Sequence, residues 1–336
     1  MAITKQEILA FALHCYDKGE KVALATVINT YGSSPQPVSS MLVIREDGHC
    51  LGSVSSGCVE GSVIESALSL MEEESRDFEV LTFSSEQSSP LQVALTCGGE
   101  IEILLELLNT ALKAGIIAQK IGTLENRQGG AILTNLQNGQ KAFYENTEKL
   151  IQSHPNLEYE NYTYSALIQA EEASYFLEIL QPKPKLLLIG AVHIAQSLAA
   201  MAKVSDFDVE IIDPRAVFAT HERFPDDKLI CDWPDEILSS HHLNASTALI
   251  CLSHDMKIDD RALAIALDSA CFYIGALGSR KSHEKRLCRL KQEYGFSDMV
   301  LQRVNGPVGL DIHAVSTQEI AISILAAVVK ARRSRG

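Results

Sequence analysis

Long apolar runs are missing from this sequence of 336 residues: no stretch approaches the roughly 18 uninterrupted apolar residues that a membrane helix needs. No membrane association is expected. There is no Cys-x-x-Cys, and the eight cysteines (Cys15, Cys50, Cys58, Cys97, Cys231, Cys251, Cys271 and Cys288) form no Cys/His cluster at zinc-ligand spacing. A structural zinc site is therefore not expected. Basic residues are scarce in the first half, where residues 1–184 carry 11 Lys and Arg against 24 Asp and Glu, a balance of −13; residues 185–336 carry 18 against 19, or −1. Nucleic acid is a poor partner for so acidic a surface, because phosphate contacts are made by clustered Lys and Arg. The opening residues 1–7 lack the basic flank and apolar core of a signal peptide, so a cytoplasmic address is expected. In that reducing compartment most thiols should be buried as small hydrophobes.

What is present is 46% hydrophobic residues over a length that predicts two domains. From Thr4 to Lys18 apolar residues recur at helical spacing, with Thr4 and Glu7 as a capping box and Gly19 as the stop. Strands are expected over 22–29, 41–45 and 51–54, a helix over 58–74 and a half-exposed strand over 100–103. This is an α+β pattern. The alternate prolines of Gln181-Pro182-Lys183-Pro184 suit neither helix nor central strand. A linker is therefore expected over 181–184, between an N-terminal α+β domain over 1–180 and a second domain over 185–336. Beyond it apolar strands (185–189, 209–212, 228–231, 247–252, 271–274) alternate with helices (193–203, 235–240, 260–267, 280–293), and an apolar helix closes the chain over 317–330. That alternation predicts an α/β, Rossmann-like doubly wound domain with a mainly parallel sheet.

Several places could carry chemistry. The first strand of the second domain runs into Gly190-Ala191-Val192-His193, where a dinucleotide fold puts its phosphate loop, although Val192 stands in place of the second glycine. Asp213, closing the next strand 23 residues on, would accept hydrogen bonds from a ribose. Gly278-Ser279-Arg280 opens a basic helix at another strand end, an arrangement suited to phosphate, and Ser253-His254-Asp255 follows a third. In the first domain Cys58 arrives at an expected helix start, whose amides favour the thiolate, the form that acts as nucleophile and soft-metal ligand. Cys97 is followed by Gly98-Gly99, which leave backbone amides accessible.

These residues resemble the xanthine and carbon monoxide dehydrogenase accessory proteins of the XdhC/CoxI type. The likeness is carried by Gly32-Ser33-Ser34-Pro35, Gly57-Cys58-Val59-Glu60-Gly61, Cys97-Gly98-Gly99, Gly275-Ala276-Leu277-Gly278-Ser279-Arg280, Pro307-Val308-Gly309-Leu310-Asp311-Ile312 and Glu319-Ile320-Ala321-Ile322-Ser323-Ile324. The resemblance implies an accessory protein, more chaperone than catalyst. Such a protein binds the molybdenum cofactor (molybdopterin), supports its sulfuration and inserts it into a xanthine dehydrogenase-like molybdoenzyme. It further implies that Cys58 and Cys97 do the sulfur chemistry, with Cys58 as the metal ligand. Gly32, Ser33, Ser34, Gly57, Gly98 and Gly99 would bind the cofactor in the first domain, and Gly190, His193, Asp213, His254, Gly278, Ser279 and Arg280 would hold it or a nucleotide in the second. A cysteine desulfurase and a second copy of the chain are further expected partners. Two alternatives stay open: an NAD(P)-dependent oxidoreductase with His193 or His254 as proton donor, and a docking protein that has lost its ligand.

Overall fold

A computed structural model of the chain describes residues 3–32, 36–73, 75–84, 99–126, 128–155, 157, 164–170, 173–238 and 243–334. The chain divides into two compact units, Met1–Pro182 and Lys183–Gly336. Among the described residues no helix is long and apolar enough to cross a membrane.

The first unit opens on α1 (Lys5–Asp17), started by the Thr4/Glu7 capping box and burying Ile8, Leu9, Ala12 and Cys15. Strand β1 (Val22–Tyr31) sits at the centre of a five-stranded sheet. It pairs antiparallel with β2 (Met41–Arg45) and with β5 (Glu100–Leu107), and β3 (Cys50–Gly52) and β4 (Phe78–Ser84) form the edges. One face of β1 and β2 packs on α2 (Glu60–Glu72) through Val63, Ala67 and Leu70; the other meets α1 through Leu9 and Ala12. This sandwiching explains why β1 is buried through seven successive residues instead of alternating.

A second sheet, not anticipated from the sequence, follows α3 (Ala111–Glu125). It comprises β6 (Gly130–Asn135), β7 (Lys141–Tyr144), β8 (Ala166–Gln169) and β9 (Ser174–Leu180) in the antiparallel order β7-β6-β9-β8, with α4 (Thr147–Ser153) beside it. Its interior carries charge. The Lys120 ammonium on α3 donates to both oxygens of Glu178 on β9, at 2.6 and 2.7 Å, and Lys141 pairs with Glu106. Burial works against the charge of Glu178, but the Lys120 ammonium, with Lys5 and Lys141 behind it, outweighs that and holds the carboxyl below its usual range.

The second unit is a six-stranded, all-parallel sheet in the order β12-β11-β10-β13-β14-β15, the winding of a Rossmann domain. Its strands are β10 (Lys185–Ile189), β11 (Asp208–Ile212), β12 (Lys228–Ile230), β13 (Thr247–Cys251), β14 (Tyr273–Ala276) and β15 (Val304–Asn305). Helices α5 (His193–Val204) and α10 (Thr317–Arg333) cover one face; α7 (Met256–Leu267) and α8 (Arg280–Tyr294) cover the other, with the short α6 (Pro234–Ile237) and α9 (Asp298–Leu301) beside them. Leu187, Ile189, Leu249 and Cys251 fill one core, and Leu186, Leu188, Ala248 and Ile250 the other. Strands buried on both sides read as continuous apolar runs, which is why the sequence pattern located them.

Gly190 ends β10 with φ +108°, and a Cβ there would stand 2.7 Å from the backbone of Ser253. Gly190→Ala should therefore cost roughly 2 kcal/mol or more, since both the left-handed backbone and the close approach oppose it. Urea unfolding followed at Trp233, the sole tryptophan, checks this. An unchanged midpoint would mean that the Ser253 backbone gives way freely.

Candidate functional site

In the first unit β3 ends at Gly52, and the chain then wraps around a glutamate. The Glu60 carboxylate, in the first turn of α2, accepts from Ser53 Oγ at 2.7 Å, from the backbone N–H of Val54, Ser55 and Gly57 at 3.2, 2.9 and 2.8 Å, and from Ser55 Oγ. Ser55 Oγ in turn accepts from Val59 N–H at 2.8 Å. Ser56 and Gly57 take positive φ, 59° and 107°, to turn their amides inward. Partial burial of Glu60 raises its pKa, but the bonds from Ser55 and Ser53 outweigh it and set the value at about 2. Cys58 stands half-buried on this collar, against the core that contains Val59 and Val63.

The helix starts later than the sequence suggests. Val59 is its N-cap and Glu60 its first residue, so Cys58 precedes the helix, and the loop amides just before the thiol, those of Val54, Ser55 and Gly57, are given to Glu60. A carboxylate held at low pKa stabilises the fold above its unfolded value of 4.5, and that contribution is lost as pH falls toward 2. Glu60→Gln should therefore flatten the acid limb of the first unit's stability between pH 5 and 2; a limb as steep as wild type would show that the collar does not depend on the charge.

Gly32 ends β1 with φ +73°, and Gly99 lies buried just before β5. Ser33, Ser34, Cys97 and Gly98 lie outside the described residues. Among the described residues no group of three or more His, Cys, Asp and Glu could hold a metal ion.

In the second unit, parallel pairing brings the ends of β10, β11, β13 and β14 to one edge, because Ile189 is level with Ile212 and Cys251, and Cys251 with Ala276. Gly190, Asp213, His254 and Gly278 thus follow strands ending on the same side. The Gly190 turn is closed by the protein itself: Gly190 N–H donates to Ile212 O and Ala191 N–H to Asp213 Oδ2, at 2.8 and 2.7 Å. Asp213 is fully buried and also accepts from Arg215 through its backbone N–H, Nε and Nη2, at 3.0, 2.9 and 2.8 Å. The ribose contact expected of Asp213 is not open in this geometry, because Ala191 and Arg215 already take its carboxylate. Arg215 two residues on was the signal for it.

His193, exposed at the first position of α5, lies 3.1 Å from Gln196 Oε1, and His254 is exposed in a left-handed backbone, φ 59°. Behind His254, Ser253 Oγ donates to the buried Asp259 carboxylate at 2.6 Å. Burial is the chief cause that raises Asp259 to about 6, against the pull of Ser253 and Arg286. Ser279 caps α8, accepting from Ser282 N–H at 3.2 Å, next to Gly278 with φ +142° and the exposed Arg280.

The profile of the XdhC Rossmann domain matches residues 186–328, and that of the XdhC and CoxI family matches residues 15–84. In both parts the chain resembles the XdhC and CoxI proteins. Over 325 residues, 97% of this chain and 88% of the relative, it is 28% identical to the molybdenum cofactor insertion chaperone PaoD of Escherichia coli K12. It is 25% identical to a probable xanthine dehydrogenase subunit of Bacillus subtilis 168, over 94% of each chain. A crystal structure titled as a xanthine dehydrogenase from Bacillus halodurans superposes with a TM-score of 0.77 at 25% identity, covering 99% of this chain and 97% of that one. The XdhC and CoxI match thus takes in the Cys58 collar, and the XdhC Rossmann match takes in the carboxyl edge.

Proposed function

We infer that this XdhC- and CoxI-like protein binds the molybdenum cofactor and delivers it into a xanthine dehydrogenase-like molybdoenzyme in the cytoplasm, acting as a chaperone. The observation that carries this is the colinear match over 97% of the chain to a molybdenum cofactor insertion chaperone. The donor set supports it. A single half-buried thiol on a rigid collar, with no protein cluster around it among the described residues, suits a soft metal that arrives with ligands of its own. Bound there, the cofactor would supply a thiolate-seeking molybdenum centre. The chain would orient it through Cys58 and keep Glu60 as the charge that shapes the loop. Cys97 acting with Cys58, sulfur supplied by a cysteine desulfurase, and a homodimer complete the proposal. The glycine and serine positions of the motifs serve as close-approach points for the cofactor.

The oxidoreductase alternative loses its ribose acceptor, since Asp213 is committed to Arg215 and Ala191. Protein purified from a cofactor-producing host should carry molybdenum by metal analysis and pterin by fluorescence, and should activate a cofactor-free molybdoenzyme on mixing. Protein carrying neither, together with nicotinamide-dependent turnover, would overturn the reading.

A further inference from the structure

The arginine in the second turn of α8 is a cation without enough acceptors. Arg286 is 6% exposed, and its guanidinium reaches back beneath the loop that precedes its own helix, where Nη2 donates to Leu277 O at 2.9 Å. A Cβ on Gly278 would stand 3.9 Å from the same nitrogen. The nearest carboxylate oxygen in an ion pair with it, Asp259 Oδ2, is 3.8 Å away, beyond hydrogen-bond reach, and Asp259 Oδ1 is taken by Ser253. Nε and Nη1, which carry three of the five guanidinium N–H groups, are sealed from solvent with no hydrogen-bond partner. One turn earlier on the same face of α8, His283 Nδ1 is likewise buried and unpartnered. Its ring lies so close to the Gly306-Pro307 turn that a Cβ on Gly306 would be 2.1 Å from Nδ1. Ser279 satisfies the amide of Ser282 but leaves those of the first helical residues, Arg280 and Lys281, facing out of the helix end.

A buried arginine with one backbone acceptor and a distant counter-charge is costly unless something supplies the missing acceptors. A half-buried imidazole whose Nδ1 is sealed on the same face, a 15-residue helix directing its positive end at the same loop, and a glycine that puts no side chain over the guanidinium are all consistent with one kind of supplier. The geometry points to an oxyanion site, of the size of a phosphoryl group, between the Leu277–Ser279 loop and the Gly306 turn, with Arg286 and His283 as its side-chain donors. Entry requires the Leu277–Ser279 loop to shift, because Nε and Nη1 are closed off in the resting structure. The site lies at the ends of β14 and β15, away from the Gly190 turn, whose amides are already paired within the protein. It stands independently of the proposed delivery function, except that the phosphoryl group could come from the cofactor's tail or from a free nucleotide.

Calorimetric titration of the full chain with inorganic pyrophosphate, at constant ionic strength, should give saturable binding. Arg286→Gln should weaken it about tenfold or more, since charge-assisted hydrogen bonds are lost. Should that variant fold poorly by circular dichroism, His283→Phe carries the test: it keeps a ring against Gly306, removes the nitrogen, and should weaken binding severalfold. No saturable binding by the wild type, or wild-type affinity in either folded variant, overturns the site. ADP binding tighter than pyrophosphate assigns the group to a free nucleotide; reduced molybdenum content in Arg286→Gln protein from a cofactor-producing host assigns it to the cofactor. Molybdenum loading that persists in wild-type protein unable to bind pyrophosphate defeats the site and leaves the delivery function standing.

Discussion

Glu178→Ala should strip about 3–5 kcal/mol from the stability of the first unit, because it leaves the Lys120 ammonium buried without a partner. Lys120 is 4% exposed, and apart from Glu178 its hydrogen-bond contact is the sulfur of Met41 at 3.5 Å. A thioether cannot replace a carboxylate. The paired change Lys120→Met with Glu178→Leu should recover most of the loss, since removing both charges together leaves apolar volume and no orphan. Far-UV circular dichroism in urea resolves this, because Trp233 fluorescence reports on the other unit and serves as an internal control. A single variant within 1 kcal/mol of wild type would mean that water reaches Lys120.

Cys58→Ala should abolish molybdenum retention and activation of the client enzyme while leaving the far-UV spectrum and melting temperature near those of wild type. The thiol is half-buried, and the collar beneath it is held by Glu60 through donors that this substitution does not touch. Losing one sulfur there costs about 1 kcal/mol or less. Alanine at Cys50, Cys231 or Cys288, which are exposed, should leave retention unchanged. Glu60→Ala provides the converse: the thiol stays, the collar loses its hub, and retention should fall although nothing that touches the metal has been removed. Full client activation by a soluble Cys58→Ala protein would end the assignment of that thiol.

The parallel domain was legible because its central strands are buried on both faces and several of its helices bring their own caps, so pattern and local chemistry agree; Ser279 before α8 and Asp255 before α7 are examples. The four-stranded sheet of the first unit was not legible. β7 is half-buried throughout, β8 has four residues, and β6 and β9 are defined by pairing across some 45 residues of chain, which local periodicity cannot register. Lys120 and Glu178 hide the matter further, since charged residues read as surface until each is seen to neutralise the other. At the site, the loops were visible as glycine and serine clusters, but their occupants were not. Asp213 reads as a ribose acceptor until Arg215 is seen folded onto it, and Glu60 reads as an ordinary first-turn acid until the preceding amides are seen to converge on it.

The bonds that close the collar span three to seven residues of sequence. Contacts so local form without waiting for the sheet, and they should survive when neighbouring strands fray. The amide of the exposed Gly57 should thus exchange with deuterium more slowly than its exposure alone would suggest, and those of the buried Val54 and Ser55 should stay protected. The loop that presents Cys58 enters any encounter already shaped, and a client docking against it gives up little freedom in the act.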